Sequence, residues 1–455
     1  MNFSPLPPAL AQLRIDGDRL MRRIHELGEL GAIRGAKGEP GSARLALTDD
    51  DRDGRDLVRT WMTDLGLEVR VDAIGNVIGT RAGSDPTAAA VMTGSHIDTV
   101  RTGGLYDGNL GVLSGLEIIE TLDRVGIALQ HPISVGFFTN EEGARFSPDM
   151  MGSLVYCGGM SAEEAYDVVG IDGARVGEEL ARIGYLGSTP CPGEVPLAFV
   201  ELHIEQGPVL EVEGVRFGAV TGVQGISWQE LTITGESNHA GTTPMSMRHD
   251  AGYAAARIAT FVRELALEMG HPHVGTVGLI TLHPNLVNVV AARATMTVDL
   301  RNTDEAKLAE SEHRLAEFLR TLERAEGVLV ESRRLARFEP VAFDERMISL
   351  VESTVERLGD TARRMPSGAG HDAQMFARLC PTAMIFTPSV KGISHNPAEH
   401  TDPADLIGGA NILLQVMLSL SETEVLSATL SSTPSSTAST TASGTPAGAT
   451  GGVTQ

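Results

Sequence analysis

The sequence predicts an α/β fold with a mainly parallel central sheet, interrupted by a smaller α+β domain. Two patterns indicate this. Through most of the chain, short apolar runs typical of buried strands alternate with longer helical patterns, as in parallel sheets covered by helices. Between about 216 and 332 the order changes to strand, helix, two strands, helix and strand, which is the order of a ferredoxin-like unit.

The elements follow from these patterns in chain order. Four apolar runs predict strands of the larger sheet: AVMTGSHI, ISVGFFTN, LAFVELHI and TAMIFTPS. Helical patterns lie between and after them in DRDGRDLVRTWMTDLGL, LGVLSGLEIIETLDRVG and DLIGGANILLQVMLSLSE. In the insert, SWQELTITG, HVGTVGLITL, NVVAARATMTVDLR and VLVESRRLA predict strands around two helices. We therefore expect one domain built from 1–215 and 333–430, with a second domain, 216–332, inserted into it.

The end of the sequence has a different composition. Residues 431–455 carry no charge and consist mostly of Ser, Thr, Ala and Gly. Such a segment cannot bury enough apolar surface to offset the entropy of ordering. We expect a disordered tail here and exclude it from the fold.

Composition limits the classes of function. The chain of 455 residues has a formal charge of −23, which argues against a nucleic-acid partner. Its three cysteines show no C-x-x-C spacing, so a disulfide framework is not expected. The first residues lack the pattern of a secretory signal, and no apolar run looks long enough to span a bilayer. We expect a cytoplasmic protein with no membrane partner.

Histidines and carboxylates collect where the predicted strands end. In open α/β sheets, ligands bind outside the carboxyl ends of the strands. Imidazole and carboxylate groups suit zinc, cobalt, nickel or manganese, and adjacent carboxylates after a buried strand repel one another unless a cation or proton relieves them. The pattern therefore indicates two metal ions with a shared Asp. The residues are His96 and Asp98 in GSHIDT, Asp107 in LYDGN, Glu141 and Glu142 after ISVGFFTN, His203 in LAFVELHI and His395 in KGISHNP.

Each of these residues has an ordinary alternative when taken alone. A single His at a strand end is more often a hydrogen-bonded structural histidine, and Asp107-Gly108 alone is a turn signal. GAGHDA fits the loose G-x-G-x-x-A pattern of dinucleotide sites, but it falls late in the chain without the early βαβ context. We therefore do not interpret it as a nucleotide site.

Nine segments in order resemble the N-carbamoyl-L-amino-acid hydrolases. The same segments are similar to those of zinc-type β-ureidopropionases and allantoate amidohydrolases, within the M20 metallopeptidase superfamily. They are GSHIDTV, LYDG, TNEEGARF, ELHIEQGPVLE, GESNHAGTTPM, PNLVNVV, DLR, SGAGHDA and GISHNPAEHT. The resemblance extends over the chain up to the tail. It implies a metallopeptidase-like catalytic domain in two parts and an inserted lid and dimerisation domain.

The resemblance also implies a role for each residue of the site. Two divalent ions per subunit, zinc or else manganese, cobalt or nickel, would activate a water. Their ligands would be His96, Asp107 and His203 for one ion and Asp107, Glu142 and His395 for the other. Glu141 would be the general base, and Asp98 would orient His96.

Four further residues match the family's substrate contacts. They are Gln206, Asn288, Arg301 and His239, the last of which would also stabilise charge in catalysis and be donated across a dimer interface. Read from the residues alone, Asn288 could be a turn residue and Arg301 a solvated strand end. A carboxylate on the substrate would still need a local cation, because the chain is acidic overall.

The implied reaction is hydrolysis of the ureido C–N bond of an N-carbamoyl-L-amino acid by a homodimer. The products would be an amino acid, carbon dioxide and ammonia. Two alternatives within the same chemistry are allantoate and N-carbamoyl-β-alanine as substrates. An alternative of another class is a catalytically silent dimeric binding protein that keeps the fold.

Overall fold

The computed structural model describes residues 6–421, and the predicted tail lies outside the described residues. The strands are β1 (Ala32–Arg34), β2 (Pro40–Ser42), β3 (Glu68–Val71), β4 (Val77–Arg81), β5 (Val91–His96), β6 (Ile133–Phe138), β7 (Ala198–Ile204), β8 (Phe217–Val223), β9 (Gly225–Thr234), β10 (Val274–Thr276), β11 (Ile280–His283), β12 (Arg293–Asn302), β13 (Leu329–Phe338), β14 (Val341–Ala342), β15 (Ala362–Ser367) and β16 (Thr382–Thr387).

The helices are α1 (Pro8–Ala11), α2 (Gly17–Gly28), α3 (Asp49–Asp64), α4 (Asn109–Val125), α5 (Met151–Tyr156), α6 (Ala162–Tyr166), α7 (Val176–Ile183), α8 (Val209–Glu213), α9 (Ala251–Met269), α10 (Glu305–Glu326), α11 (Glu345–Arg357), α12 (Asp372–Phe376) and α13 (Pro403–Leu420). Short 3₁₀ turns cover Met245–Met247 and Val390–Gly392.

The larger sheet has nine strands in the order β14-β8-β16-β7-β5-β6-β4-β3, with β15 beside β8. Its four central strands, β16, β7, β5 and β6, run parallel, and they are the four apolar runs predicted from the sequence. Every residue in these strands is buried. Helices α4, α13, α5 and α12 pack against them, which explains why their apolar residues do not alternate with polar ones. The predicted fold class is confirmed.

The smaller sheet is antiparallel, in the order β10-β12-β9-β13, with β11 also on β12. Helices α9 and α10 pack on it around a separate apolar core that includes Leu231, Ile258, Met296 and Leu315. HVGTVGLITL, predicted as one strand, forms two. Between β10 and β11 the three residues 277–279 face the two residues 297 and 298, so a bulge interrupts the pairing with β12.

The predicted boundaries of the insert differ by a few residues from the points at which the chain changes sheet. β8 pairs with β15 and β16 in the larger sheet, although it falls inside 216–332. β13 continues in the smaller sheet to Phe338. The chain therefore passes from the larger to the smaller sheet around Gln224 and returns around 339–340. The division into domains as such stays a prediction.

One helix has the length and apolar composition of a membrane span, which the sequence analysis did not expect. It is α13, and no other helix within residues 6–421 passes that test. Most of α13 is buried, where it packs against β7, β16, α4 and α11. Its apolar residues belong to the core of the larger sheet, so its composition follows from burial on several sides.

Candidate metal centre

The carboxyl ends of the central strands bring the predicted donors together. His96 is the last residue of β5, His203 lies next to the last residue of β7, and Glu141 follows β6 by three residues. His395 lies in the loop after β16. Because β5, β6, β7 and β16 are parallel neighbours, these ends meet at one edge of the sheet.

Asp107 occupies the centre of this group. Its Oδ1 lies 3.4 Å from Nε2 of His96 and 3.1 Å from Nε2 of His203. Its Oδ2 lies 3.4 Å from Nε2 of His395, which is also 3.3 Å from Oε2 of Glu142. The two oxygens of one buried carboxylate thus face two separate sets of donors, and within each set the donor atoms lie within 4.8 Å of one another.

The residue after Asp107 must be glycine. Gly108 has a φ of +64°, and a Cβ there would lie 2.5 Å from the imidazole of His96. A side chain at this position would therefore strain the backbone and push the imidazole away from the carboxylate. The Asp-Gly pair is a turn signal in the sequence, and in the structure it also lets a histidine ring lie directly against the backbone.

The two buried histidines are held in one tautomer by main-chain oxygens. Nδ1 of His96 donates to the carbonyl oxygen of Asp98 at 2.9 Å, and Nδ1 of His203 donates to that of Ile204 at 2.9 Å. A carbonyl oxygen only accepts, so the hydrogen of each neutral ring sits on Nδ1 and Nε2 carries the lone pair. Both Nε2 atoms lie beside Asp107, and that of His203 is also 3.2 Å from the backbone N–H of Gly108. In the neutral rings these are the lone pairs that a cation would take.

The side chain of Asp98 has a different contact from the predicted one. Its main-chain oxygen, not its carboxylate, binds His96. The carboxylate instead accepts hydrogen bonds from the backbone N–H groups of Glu141, at 3.2 Å, and Glu142, at 3.4 Å. Asp98 therefore positions the turn that carries both glutamates, and it orients His96 only through the backbone.

Among the non-glycine residues that adopt the left-handed backbone region, three are residues of the proposed centre or directly precede one. They are Asn140, Gln206 and His395, with φ values of 55°, 57° and 54°. Such conformations cost of order 1–3 kcal/mol each and tend to cluster at functional sites. Asn140 directly precedes Glu141, and its amide donates to the carbonyl oxygen of Phe146 at 2.9 Å. The surrounding loop thus holds the backbone that aims Glu141.

The buried carboxyl groups lack enough positive charge around them. Burial, together with the charge of Asp107, raises the pKa of Glu142 to about 8, and burial raises the pKa of Glu141 well above its usual value. Burial alone would also raise the pKa of Asp107, but hydrogen bonds from the three imidazoles in their protonated form hold it well below the usual range. Within residues 6–421, no Lys or Arg forms an ion pair with any of these three carboxylates.

These observations fit divalent cations. The donors are imidazole nitrogens and carboxylate oxygens without a thiolate, which is the set that zinc, manganese, cobalt and nickel accept. A cation on each side of Asp107 would relieve the repulsion among the glutamates and take the lone pairs of the oriented histidines. Glu141 belongs to neither set of donors.

The predicted substrate contacts fall in two places. Gln206 lies at the centre, where its Nε2 donates to Oδ2 of Asp107 at 2.9 Å and its buried Oε1 has no partner. The guanidinium of Arg301 pairs with Asp299 and donates a hydrogen bond to the carbonyl oxygen of Gly368 at 2.7 Å. Arg301 therefore joins the smaller sheet to the SGAGHDA segment.

His239 and Asn288 lie together on the smaller-sheet side, and both are exposed. The backbone N–H of Ala240 donates to the carbonyl oxygen of Asn288 at 3.0 Å, and His239 forms a bridge with Val289. Neither side chain belongs to the two sets of donors around Asp107.

Two residues of this centre were missed by the sequence analysis. Buried His371 packs edge-on against His203, with ring centroids 4.5 Å apart, and its Nδ1 has no partner. Buried Glu399 accepts from the backbone N–H of Asp107 at 3.3 Å and from Ser394 at 3.0 Å. The sequence did contain a signal for each. His371 belongs to a His-Asp pair in the glycine-rich segment SGAGHDA, and Glu399 follows the predicted ligand His395 by four residues.

Comparisons with known proteins show the family of this chain. The profile of peptidase family M20/M25/M40 matches residues 92–419. An N-carbamoyl-L-amino-acid amidohydrolase of Rhizobium meliloti is 42% identical over 410 residues, covering 90% of this chain and 97% of that protein. An allantoate amidohydrolase of Escherichia coli strain K12 is 37% identical over 389 residues, covering 85% and 95%.

A solved structure is similar over the same range. It is the crystal structure of an amidase of the hydantoinase/carbamoylase family from Burkholderia multivorans, with a TM-score of 0.85 and 44% identity. The alignment covers 90% of this chain and 98% of that one.

Metal binding at this centre should release protons and strengthen with pH. In the metal-free protein the pKa of Glu142 is about 8 and that of His395 about 9, so both groups hold protons at about pH 7. A cation must displace them. As the pH rises through these values the protons leave by themselves, so the affinity should increase and the proton release should diminish.

Calorimetric titration of the chelated protein with zinc or manganese, in two buffers of different ionisation enthalpy, measures both quantities. A His395→Ala variant should release fewer protons than the parent. An affinity that falls between about pH 7 and 9 would contradict the assignment.

Proposed function

This chain belongs to peptidase family M20/M25/M40, and we propose that it is a metal-dependent amidohydrolase of N-carbamoyl-L-amino acids. The bond cleaved would be the ureido C–N bond, giving an amino acid, carbon dioxide and ammonia. The observation that carries the proposal is the buried Asp107 whose two oxygens face separate sets of imidazole and carboxylate donors. The relative from Rhizobium meliloti, named for this reaction, matches nearly its full length.

Two divalent ions are proposed per subunit, with zinc first and manganese, cobalt or nickel fitting the same donors. When bound, such ions lower the pKa of a water and polarise a carbonyl group. The residues proposed to hold them are His96, Asp107 and His203 for one ion and Asp107, Glu142 and His395 for the other. Gln206, hydrogen-bonded to Asp107, would contact the substrate from this side.

Glu141 is proposed as the general base. Its carboxylate lies 3.3 Å from Nε2 of His96, beside the donors but not among them. Burial raises its pKa, which favours taking a proton from the attacking water and passing it on to the leaving nitrogen. The backbone N–H groups of Glu141 and Glu142 donate to the carboxylate of Asp98, and these hydrogen bonds hold the turn that positions Glu141.

Arg301 is proposed to anchor the carboxylate of the substrate. Its guanidinium is half-buried and already donates to Asp299, with Nη2 2.9 Å from the nearer oxygen. A substrate carboxylate would therefore share or replace this partner, forming the paired hydrogen bonds that guanidinium and carboxylate favour. Because Arg301 also donates to Gly368, a substrate bound to Arg301 would be linked to both the smaller sheet and the SGAGHDA segment.

A homodimer joined through the insert is proposed as the working unit. Several large apolar side chains are exposed in and next to β10 and β11: Val274, Leu279, Ile280, Leu286 and Val287. Within residues 6–421 no strand pairs with the outer edge of β10 and β11, and this edge is a surface on which a second copy can dock. His239 and Asn288, exposed nearby, would then reach a substrate in the partner's site. We also propose a cytoplasmic location, in keeping with three free cysteines.

Allantoate is the second candidate substrate, because the relative from Escherichia coli named for it is 37% identical. A silent binding protein is disfavoured, since every proposed ligand and Glu141 are present and lie at one edge of the sheet. N-carbamoyl-β-alanine stays as a further alternative of the same chemistry.

Ammonia release from a substrate panel tests the proposed reaction. The panel contains N-carbamoyl derivatives of L- and D-amino acids, N-carbamoyl-β-alanine and allantoate, each with zinc, manganese, cobalt or nickel. We expect the highest kcat/KM with an N-carbamoyl-L-amino acid and loss of activity after chelation. Preference for allantoate would select the second candidate, and no release with any substrate or metal would favour the silent protein.

Replacement of Glu141 by Gln should keep the metal ions and lower kcat by about 10²- to 10⁴-fold, the usual contribution of a general base. Metal content by elemental analysis and steady-state rates measure the two effects. Glu310→Gln, on the exposed face of α10, is the matched control and should behave as the parent. Near-parental turnover of Glu141→Gln would remove this residue as the base.

Replacement of Arg301 by Ala should mainly raise KM for substrates with a carboxylate, by about 10-fold or more, because a hydrogen-bonded charge pair contributes about 1.5–3 kcal/mol. The same reaction followed with Arg333→Ala, an exposed arginine of the smaller sheet paired with Glu230, provides the control. Equal KM values in parent and Arg301→Ala would place the anchor elsewhere.

A further inference from the structure

A fully buried arginine outside the donor set contacts both segments that carry His96 and Asp107. Arg44 lies between β2 and α3 and has no exposed surface. Its Nε donates to the carbonyl oxygen of Ile97, between His96 and Asp98, at 2.8 Å. Its Nη2 donates to Oδ1 of Asn109, two residues after Asp107, at 3.0 Å.

Further hydrogen bonds hold the two segments that Arg44 contacts. Nδ2 of Asn109 donates to the carbonyl oxygen of Leu105 at 3.1 Å, so this side chain spans the turn that contains Asp107. The backbone of Arg44 pairs with Thr99, whose N–H donates to the Arg44 oxygen at 2.9 Å. The hydroxyl of Thr99 accepts from the Arg44 N–H at 2.8 Å. Arg44 therefore holds 97–99 and 105–109 at a set separation.

The charge of Arg44 has no carboxylate partner among residues 6–421. Its third nitrogen, Nη1, donates to the carbonyl oxygens of Leu27, at 3.0 Å, and Leu30, at 2.8 Å, around the carboxyl end of α2. The negative end of a helix dipole favours a cation there. Burial lowers the pKa of Arg44 to about 10, so the group remains protonated at neutral pH.

The fold also makes room for this side chain. A Cβ at Gly54, inside α3, would lie 2.8 Å from Cδ of Arg44. Glycine within a helix costs about 1 kcal/mol relative to alanine. A buried cation without a carboxylate partner is unfavourable as well, unless its N–H groups are all satisfied. The planar fork of arginine meets oxygens from three separate segments, which a shorter or apolar side chain could not do.

We propose that Arg44 is a positioning residue of the metal centre, which sets the separation of His96 from Asp107 by binding Ile97 and Asn109. It touches neither the substrate nor the reacting atoms. The inference rests on the proposed metal centre, because it assigns Arg44 a role in how tightly and in what geometry the ions are held. A merely structural arginine would stabilise the fold and leave metal affinity unchanged.

The test compares Arg44→Lys with Arg19→Lys. Lysine keeps the charge but cannot reproduce the fork. Arg19 is the matched control, since it is also buried and charged, and it pairs with Glu117 and Glu120 without a bond to 96–109. For the parent and both variants, the unfolding free energy of the chelated protein, zinc affinity by competition with a chelator, and the absorption spectrum of the cobalt form are measured.

We expect Arg44→Lys to lose about 10- to 100-fold in zinc affinity, the usual effect of losing a residue that orients metal ligands. Its cobalt spectrum should shift, and at saturating metal kcat should fall more than KM changes. Arg19→Lys should lose stability while its affinity and spectrum stay parental. If Arg44→Lys does not fold, Asn109→Ala removes one of the two contacts and should lower the affinity in the same direction.

Three outcomes would overturn the inference. The first is parental zinc affinity and cobalt spectrum in Arg44→Lys or, where that does not fold, in Asn109→Ala. The second is a loss of affinity in Arg19→Lys that matches its loss of stability, since metal binding would then follow stability alone. The third is a parent that binds no metal, and that result would overturn the proposed function as well, whereas the first two leave it standing.

Discussion

The centre depends on one buried carboxylate. One oxygen of Asp107 contacts Nε2 of His96 and of His203, and its other oxygen contacts Nε2 of His395. A carboxylate in this position is out of water, so its charge has to be balanced locally. The three imidazoles balance part of the negative charge. Glu141 and Glu142 add further carboxyl groups nearby, and burial raises the pKa of both. The need for cations thus follows from the way this carboxylate is buried.

Much of the nearby structure serves to keep that carboxylate and its partners in place. Gly108 leaves space for the ring of His96, and Glu399 binds the backbone of Asp107. Asp98 holds the backbone of both glutamates, while Asn140 takes up a left-handed conformation in front of them. The contacts of Glu399 and Asp98 are hydrogen bonds to the backbone of the turns that follow the strands. Such support is what keeps a metal site or a general base within the narrow geometry that its chemistry requires.

The proposed site would use residues from both sheets. The parallel strands of the larger sheet bring the proposed cation donors to one edge, while Arg301 lies in the smaller sheet and His239 and Asn288 lie in loops next to it. Arg301 joins the two through its hydrogen bond to Gly368. A substrate that binds Arg301 with its carboxylate and the metal centre with its ureido group would therefore bridge both sheets. Completing the site only when the substrate is bound is a usual way to exclude water from hydrolysis.

Local patterns in the sequence were enough to predict the central strands, the candidate donors and the family of this protein. Continuous apolar runs predicted the four central strands because a strand buried on both faces needs no alternation. The proposed donors could be predicted because ligands bind at the carboxyl ends of such strands. The family followed from nine motifs in order, and the family match agrees with that resemblance.

The contacts between distant parts of the chain could not be predicted in the same way. His371 lies 168 residues after His203 in the chain and packs against it. Glu399 reaches Asp107 across a separation of 292 residues, and Arg44 reaches Asn109 across 65. The bulge opposite 297 and 298 and the main-chain contact of Asp98 were likewise not visible in the sequence. Such contacts depend on strand register and on how distant segments pack, and no short-range periodicity in the chain records either.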